Sequence, residues 1–300
     1  MAAMSRIEVF DRHRPLLFSI AYRMLGSVME AEDVVQEAFL RWQGAPEDEV
    51  RSPSAYLSTV VTRLCIDRLR SARARREQYV GPWLPEPLLE EKEIPGITDL
   101  EDSLSMAFLV LLESLTPVER AVFLLREVFD YDYPEIASLV GKSETNCRQI
   151  SRRARQSVAA RRPRYESSPE QEERLMGSFL RASLSGDMEA LLALLSEDVT
   201  LYSDGGGKTQ AALRPIYGAD RVVRFLFGIL RKAPPDFAVR QTRVNGRPGF
   251  VGYFGDGNPQ SVVTIEVGQG SITAIRLIVN PEKLGNVPPL EQAERGEGSG

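Results

Sequence analysis

The chain has 300 residues, 43% of them hydrophobic and 26% charged, with a formal net charge of −5. That length suits two or more cores rather than one, and the composition excludes a fibre, a mucin-like stalk and wholesale disorder. A single histidine, His13, and two distant cysteines, Cys65 and Cys147, exclude a two-histidine metal site and a paired-cysteine zinc site.

Apolar residues at helical spacing from Ile7 to Leu25 predict a first helix stopped by Gly26-Ser27. In the next, Met29 to Trp42, Val35, Ala38, Phe39 and Trp42 share one face, while Glu30, Asp33, Glu37 and Arg41 share the other. After a loop at 44–53, Tyr56, Leu57, Val60, Val61, Leu64 and Leu69 outline a third helix. It runs into Arg63, Arg68, Arg70, Arg73, Arg75 and Arg76, which stand against Asp67 alone over 63–76, a net of +5.

Residues 80–102 hold four prolines and a cluster of acids, and read as an extended linker rather than a core element. A second helical unit follows. Phe108, Leu111, Leu112 and Leu115 lead to Thr116 as N-cap, Pro117 at the first helical position and Glu119 behind it. A short helix over 133–141 closes on Gly141, and Ser143 is placed to cap another, Glu144 to Ala160. This is helix, turn, helix, whose second helix reads base edges in the major groove. Ser143, Glu144, Thr145, Asn146, Arg148, Gln149, Arg152 and Arg153 are placed for that, while Arg155, Arg161 and Arg162 suit phosphates.

The second basic stretch, 142–164, nets +7, and the residues between the two stretches, 77–141, net −11. One Arg-rich helix end is often only a solvated face. Two in one chain, each after an apolar periodic segment, favour a nucleic-acid footprint, with the acidic centre expected to keep them apart.

Past Arg164 the texture changes. Glu170 to Leu195 reads as two helices separated by Ser185-Gly186-Asp187; Val199, Leu201 and the runs 262–267 and 272–279 read as strands, with turns at Asn245-Gly246 and Gly268-Gln269-Gly270. Helices followed by antiparallel strands predict an α+β domain, and 288–300 reads as a disordered tail. The charged first turns and the lack of an apolar run of roughly 18 residues argue against export and membrane insertion and predict a cytoplasmic chain without a membrane partner.

The run AEDVVQEAFLR at 31–41, the later Ala55-Tyr56-Leu57 with Asp67-Arg68-Leu69-Arg70, and the helix-turn-helix at 132–155 resemble regions two and four of bacterial extracytoplasmic-function sigma factors. Trp83-Leu84-Pro85-Glu86-Pro87, Asp204-Gly205-Gly206-Gly207-Lys208 and Asn280-Pro281-Glu282-Lys283-Leu284 resemble signatures of the subgroup with a fused SnoaL-like C-terminal domain. The resemblance implies a mainly α N-terminal half, with region two at 1–79, a linker at 80–102 and region four at 103–165. A cone-shaped, nuclear-transport-factor-like α+β domain follows at 166–287.

It also implies partners and roles. Glu32, Asp33, Gln36, Glu37 and Arg41 would dock on core RNA polymerase (β and β′ subunits). Arg63, Arg68, Arg70, Arg73, Arg75 and Arg76 would engage the minus-ten promoter DNA; Ser143, Glu144, Thr145, Arg148, Gln149, Arg152 and Arg153 would read the minus-thirty-five element. Trp83, Leu84 and Pro85 would hold the linker on the C-terminal domain near Asp204, Gly205, Gly206, Lys208, Asn280, Pro281, Lys283 and Leu284. That intramolecular contact implies regulation in cis.

SnoaL-like domains host chemistry in polyketide cyclases and ketosteroid isomerases, and none elsewhere. Tyr202 and Asp204 are expected to point to opposite faces of a strand end, a poor acid–base pair; Tyr217 or Tyr253 could serve Asp204 as a remote donor, but no spacing demands it. No enzyme activity, cofactor or metal is expected, and an unidentified small ligand in the domain's pocket stays open. The competing readings are a helix-turn-helix ligand-sensing regulator independent of polymerase core, and a SnoaL-type isomerase or hydrolase with a DNA-binding appendage.

Overall fold

A computed structural model describes residues 5–46, 50, 52–76, 78–90, 103–161 and 167–290, with the backbone alone for 72–76. The chain divides into two compact units. The first comprises Met1–Gln78, Glu93–Leu104 and Phe108–Arg162; the second comprises Tyr79–Lys92, Ser105–Ala107 and Pro163–Gly300.

The first unit is helical: α1 (Arg6–Leu25), α2 (Val28–Gly44), α3 (Pro53–Arg76), α4 (Met106–Leu112, its first residues in the other unit), α5 (Pro117–Glu127), α6 (Tyr133–Val140) and α7 (Glu144–Ala159). Local chemistry sets the boundaries. Gly26, at φ +68°, ends α1, and Ser27 caps α2 by accepting from the Glu30 N–H. Thr116 with Glu119 and Asp132 with Glu135 form reciprocal capping boxes at the starts of α5 and α6. Gly141, at φ +64°, closes α6, and Ser143 caps α7. The helix-turn-helix core is Val122, Leu125, Ile136, Leu139, Cys147 and Ile150.

Within this one unit α5 and α6, which lie inside the acidic stretch 77–141, pack against both α3 and α7, and α5 also meets α1. The described helical part of the acidic centre thus contacts both basic helices and joins the two regions in one unit. Their seam is polar as well as apolar. Buried Arg120 donates from Nη1 to the Met24 carbonyl at 2.7 Å, meeting an orphan acceptor at the end of α1, and pairs with Glu113 at 2.8 Å. The Ser58 and Tyr131 hydroxyls are 2.9 Å apart. Arg23 donates from Nε to Ser103 Oγ at 3.0 Å and lies over the Phe129 ring; burial pulls its pKa down to about 10.

The second unit contains α8 (Pro169–Ser185), α9 (Met188–Leu194), β1 (Leu195–Asp204), β2 (Ile216–Tyr217), α10 (Ala219–Leu230), β3 (Ala238–Val244), β4 (Arg247–Tyr253), β5 (Pro259–Gly268), β6 (Ser271–Ile278) and α11 (Pro281–Leu284). The strands form one sheet ordered β2-β1-β6-β5-β4-β3. All neighbours are antiparallel except β1 and β6, which run parallel. The all-antiparallel expectation is corrected at that pair, because the chain returns to β1 from the far end of the sheet. α10 and the full lengths of β3 and β4 are additions to the sequence reading.

One sheet face supplies Val199, Leu201, Phe250, Val263, Ile275 and Leu277 to a core shared with Met176 and Phe179 of α8 and Val222 of α10. The opposite face carries the row Val251, Val262, Ile278 and Asp204, all fully buried. Tyr202 and Asp204 lie two residues apart on β1 and so share a face, which corrects the expectation of opposite faces.

Residues 79–90 are not a free linker. Leu84, Glu86, Leu88 and Leu89 are buried within the second unit, and Leu89 bridges to Val244 in antiparallel fashion. The Leu88 carbonyl accepts from the Asn245 N–H at 2.7 Å, and the Leu88 N–H donates to Asn245 Oδ1 at 3.1 Å. Near the C-terminus, Leu290 is buried and its N–H donates to the Gly257 carbonyl, while Tyr253 OH donates to the Pro288 carbonyl. The first residues of the expected disordered tail are thus packed, since Leu290 has apolar surface to bury; 291–300 lie outside the described residues, as do 91–102.

Candidate functional site

Three surfaces and one buried cluster hold the residues singled out by sequence. On α2, Asp33, Gln36 and Arg41 are exposed and Glu32 and Glu37 half-buried. Met29 and Leu40 join Asp33 and Gln36 at i, i+4, i+7 and i+11, so the exposed strip has an apolar side chain at each end. Its acids are largely matched: Glu32 pairs with Arg14 at 2.7 Å, Glu37 with Arg41 at 2.6 Å, and Asp33 with Arg68 at 3.4 Å. The strip is a mixed polar surface rather than the bare acidic one expected.

The α3 arginines divide. Arg63 donates to the Leu139 and Ser138 carbonyls, each at 3.1 Å, and so satisfies the C-terminal end of α6. Arg68 turns toward α2, contacting the Glu30 carbonyl and Asp33. Arg70 pairs with Asp67 at 3.1 Å in the open. The side chains of Arg73, Arg75 and Arg76 lie outside the described residues, as do parts of the 44–53 loop. The expected cationic tip is thus met in the described side chains by one arginine in solvent and two engaged with neighbouring helices of the first unit, Arg63 from an exposed position.

Along α7, Cys147, Ile150, Ala154 and Val158 are buried, and Thr145, Arg148, Gln149, Arg152, Arg153 and Arg155 are exposed. Glu144 pairs with Arg148, whose guanidinium also stacks 4.5 Å from the Tyr133 ring centroid. Arg148 is thereby preset in direction; Arg152 and Arg153 stand free of any described ion pair. Ser143 is committed to capping, accepting from the Asn146 N–H.

The buried cluster centres on Asp204, which is fully buried at the end of β1. Its Oδ1 accepts from Tyr79 OH at 2.6 Å and from the Gly206 N–H at 3.1 Å. Its Oδ2 accepts from the Leu84 N–H at 2.8 Å and from Lys283 Nζ at 2.7 Å. Lys283 also donates to the Leu84 carbonyl and sits over Trp83, 4.3 Å from the ring centroid, and over Tyr79 at 5.1 Å. Asn280 caps α11 and donates from Nδ2 to Tyr79 OH at 2.9 Å. Lys208 pairs with Glu282 at 2.6 Å, and Leu284 is buried.

The glycines of this loop have a physical reason. Gly206 lies at φ +59°, and a side chain there would run into Asn280 and the Tyr79 hydroxyl; one at Gly205 would meet Ala211 and the Thr209 carbonyl. The three short motifs at 83–87, 204–208 and 280–284 therefore meet at one place. Tyr79 was missed by sequence, having no local signal that ties it to Asp204. Burial and the neighbouring carboxylate push its phenol well above the usual tyrosine range. Glu86 with Asn286, 2.6 Å apart, was also missed, although a lone acid between prolines and leucines was a signal for a buried partner.

Asp204 has no vacancy for acid–base work, since four donors already occupy its two oxygens. Among the described residues no group of acids, histidines and cysteines is arranged to hold a metal, and no helix is long and apolar enough to cross a membrane.

The helical unit matches the family models for Sigma-70 region 2 over residues 9–75 and Sigma-70 region 4 over residues 105–158. Fold and matches together define a two-region sigma protein carrying a C-terminal α+β domain. The chain belongs to the extracytoplasmic-function (ECF) RNA polymerase sigma factors. It is 36% identical over 98% of its length, and 98% of the relative's, to the ECF RNA polymerase sigma factor SigJ of Mycobacterium tuberculosis. It is 33% identical to the probable sigma factor SigI of the same organism, over 95% of this chain and 96% of that one. The crystal structure of the M. tuberculosis SigJ protein superposes with a TM-score of 0.75 at 32% identity, covering 92% of this chain and 97% of that one.

Proposed function

We propose that this sigma factor binds core RNA polymerase through the exposed face of α2 and directs it to promoters by reading a minus-thirty-five element with α7 and a minus-ten element with α3. The carrying observation is the α7 stripe. Thr145, Arg148, Gln149 and Arg152 face solvent near the N-terminal end of the second helix of a fully capped helix-turn-helix, the end that reaches base edges in that motif. Such a partner places the protein in the cytoplasm.

The C-terminal domain acts in cis. It is tethered to the sigma region by residues 79–90, held through Asp204, Lys283 and Asn245, and this fixes how much chain is left to join α3 to α4. It serves as a brace rather than as an enzyme, because its best candidate base, Asp204, is consumed by the brace. The relative's designation as a sigma factor over nearly the whole chain supports the same reading.

On this reading the free protein binds promoter DNA weakly, since Arg63 and Arg68 are engaged by the α6 carbonyls and by Asp33 of α2, and the net charge is −5. The test is run-off transcription with core polymerase on a genomic promoter library, beside gel shift with the protein alone. Specific initiation that needs both core and protein supports the proposal; tight sequence-specific binding by the lone protein at moderate salt counts against it. A pull-down on core polymerase separates this from a helix-turn-helix regulator, which needs no such contact.

A further inference from the structure

The solvent face of α8 carries an arrangement that nothing among the described residues explains. Gly177 sits at mid-helix, where glycine is among the least favourable residues. A side chain there would touch only the far end of Arg181, at 3.5 Å, so packing within the described chain does not demand glycine. A second backbone approaching the helix at this point would demand it, as close helix crossings favour a residue with no side chain.

The charges around it are symmetric. Glu173 lies four residues before Gly177 and Arg181 four residues after, both on the exposed stripe and both without an ion-pair partner among the described residues. Arg181 instead leans back to Ser178 Oγ at 3.0 Å. These residues line a shallow depression of about 540 Å³ along α8, and a second depression of about 700 Å³ continues past Arg181 to Leu184, which is 55% exposed. A helix related to this one by a two-fold axis through Gly177 would run antiparallel and bring Arg181 of each copy against Glu173 of the other. Such self-complementarity is the mark of an isologous contact.

We infer that α8 is a homodimerisation surface whose occupant is α8 of a second copy of this chain, crossing at Gly177 with two reciprocal Glu173–Arg181 ion pairs. One helix face makes a small interface, so the association is weak, with a Kd of roughly 10 to 100 µM. Only the second unit takes part, so the inference stands or falls independently of promoter reading.

The test uses the full chain in sedimentation equilibrium across that concentration range. Glu173→Arg and Arg181→Glu alone should each weaken the dimer roughly tenfold or more, and the doubly reversed Glu173→Arg/Arg181→Glu chain should recover it. Gly177→Leu, which sets a side chain into the crossing, should weaken the dimer by a comparable factor. Circular dichroism of each variant checks that α8 is intact, all three positions being at the surface. A wild-type chain that stays monomeric throughout, a dimer indifferent to both single reversals, or a double reversal that fails to recover it would overturn the inference, as would a Gly177→Leu dimer as tight as the wild type.

Discussion

Lys283 Nζ lies 2.7 Å from Asp204 Oδ2 in an ion pair buried on both sides, with side-chain exposures of 12% and 0%. Each charge is also satisfied by backbone of residue Leu84, from its N–H to Asp204 and from its carbonyl to Lys283. The pair is therefore complete only when the 79–90 segment is docked. It joins the segment to the C-terminal domain more tightly than an apolar contact of similar size would, because undocking leaves two buried charges short of partners.

Breaking the pair from one side should be costly. Lys283→Met leaves the Asp204 carboxylate buried without its cation, and truncations of this kind cost about 3 to 5 kcal/mol. The expected outcome is a lower melting temperature for the second unit and solvent exposure of Trp83, one of two tryptophans in the chain. Intrinsic fluorescence reads both, with Trp42, buried in the first unit, as the unshifted reference. An unchanged Trp83 signal and unchanged melting would show that the apolar contacts of Leu84, Leu88 and Leu89 hold the segment alone.

The same cluster gives a pH dependence with a definite sign. The Tyr79 phenol has a folded pKa raised above the unfolded value of about 10. The folded state therefore keeps a proton that the unfolded state loses, so the stabilisation is complete below about pH 10 and declines above it. Tyr131 and Tyr202 are shifted the same way, mainly by burial, so the wild type alone does not isolate Tyr79. The difference between wild type and Tyr79→Phe does: the variant should be less stable at neutral pH, with the gap narrowing above pH 10. Parallel stability curves from pH 8 to 11 would show that Tyr79 does not hold its proton for Asp204.

How much of this was legible depended on whether the signal was local. Helices α1 to α3 and α5 to α7 announce themselves by 3.6-residue periodicity and by caps such as Ser27, Thr116 and Ser143. The buried cluster was half legible. Trp83, Asp204 and Lys283 stood in motifs, yet Tyr79 and Asp204 meet across 125 positions and only folding shows it. α10 was missed because its N-cap, Gly218, makes no side-chain capping bond and its Val-Val-x-Phe-Leu-Phe run has the composition of a strand. The parallel pairing of β1 with β6 had no local signature, since it is set by where the chain returns. The arginines of α3 were read as a DNA surface from their number; which of them point inward depended on the acids of α2 and the carbonyl ends of α6.

Arg63 is the sharpest case. It donates to the Ser138 and Leu139 carbonyls from an exposed position, so Arg63→Ala should cost about 0.5 to 1.5 kcal/mol, since water can take the place of the guanidinium. Hydrogen exchange should quicken along α6 and the α3 face against it, and chemical denaturation of the first unit should shift to lower denaturant. If α6 stays as protected as in the wild type, the arginine does not hold the seam.

On α7 the expected result is the reverse, loss of recognition without loss of stability. Arg152 and Arg155 are both exposed, but they differ in position: Arg152 follows Arg148 by one turn along the stripe proposed to face the bases, whereas Arg155 leans toward Glu127 of α5, 3.7 Å away. Arg152→Ala should therefore lower initiation by an amount equivalent to about 1 to 3 kcal/mol and relax the preference at one base position of the upstream element. Arg155→Ala should weaken all promoters alike and flatten the salt dependence, as loss of a phosphate contact does. Neither change should move the melting temperature of the first unit. Multiplexed transcription from a randomised upstream element with polymerase holoenzyme, repeated at two salt concentrations, separates the two patterns; equal, sequence-independent effects of both substitutions would mean that α7 grips the backbone without reading bases at Arg152.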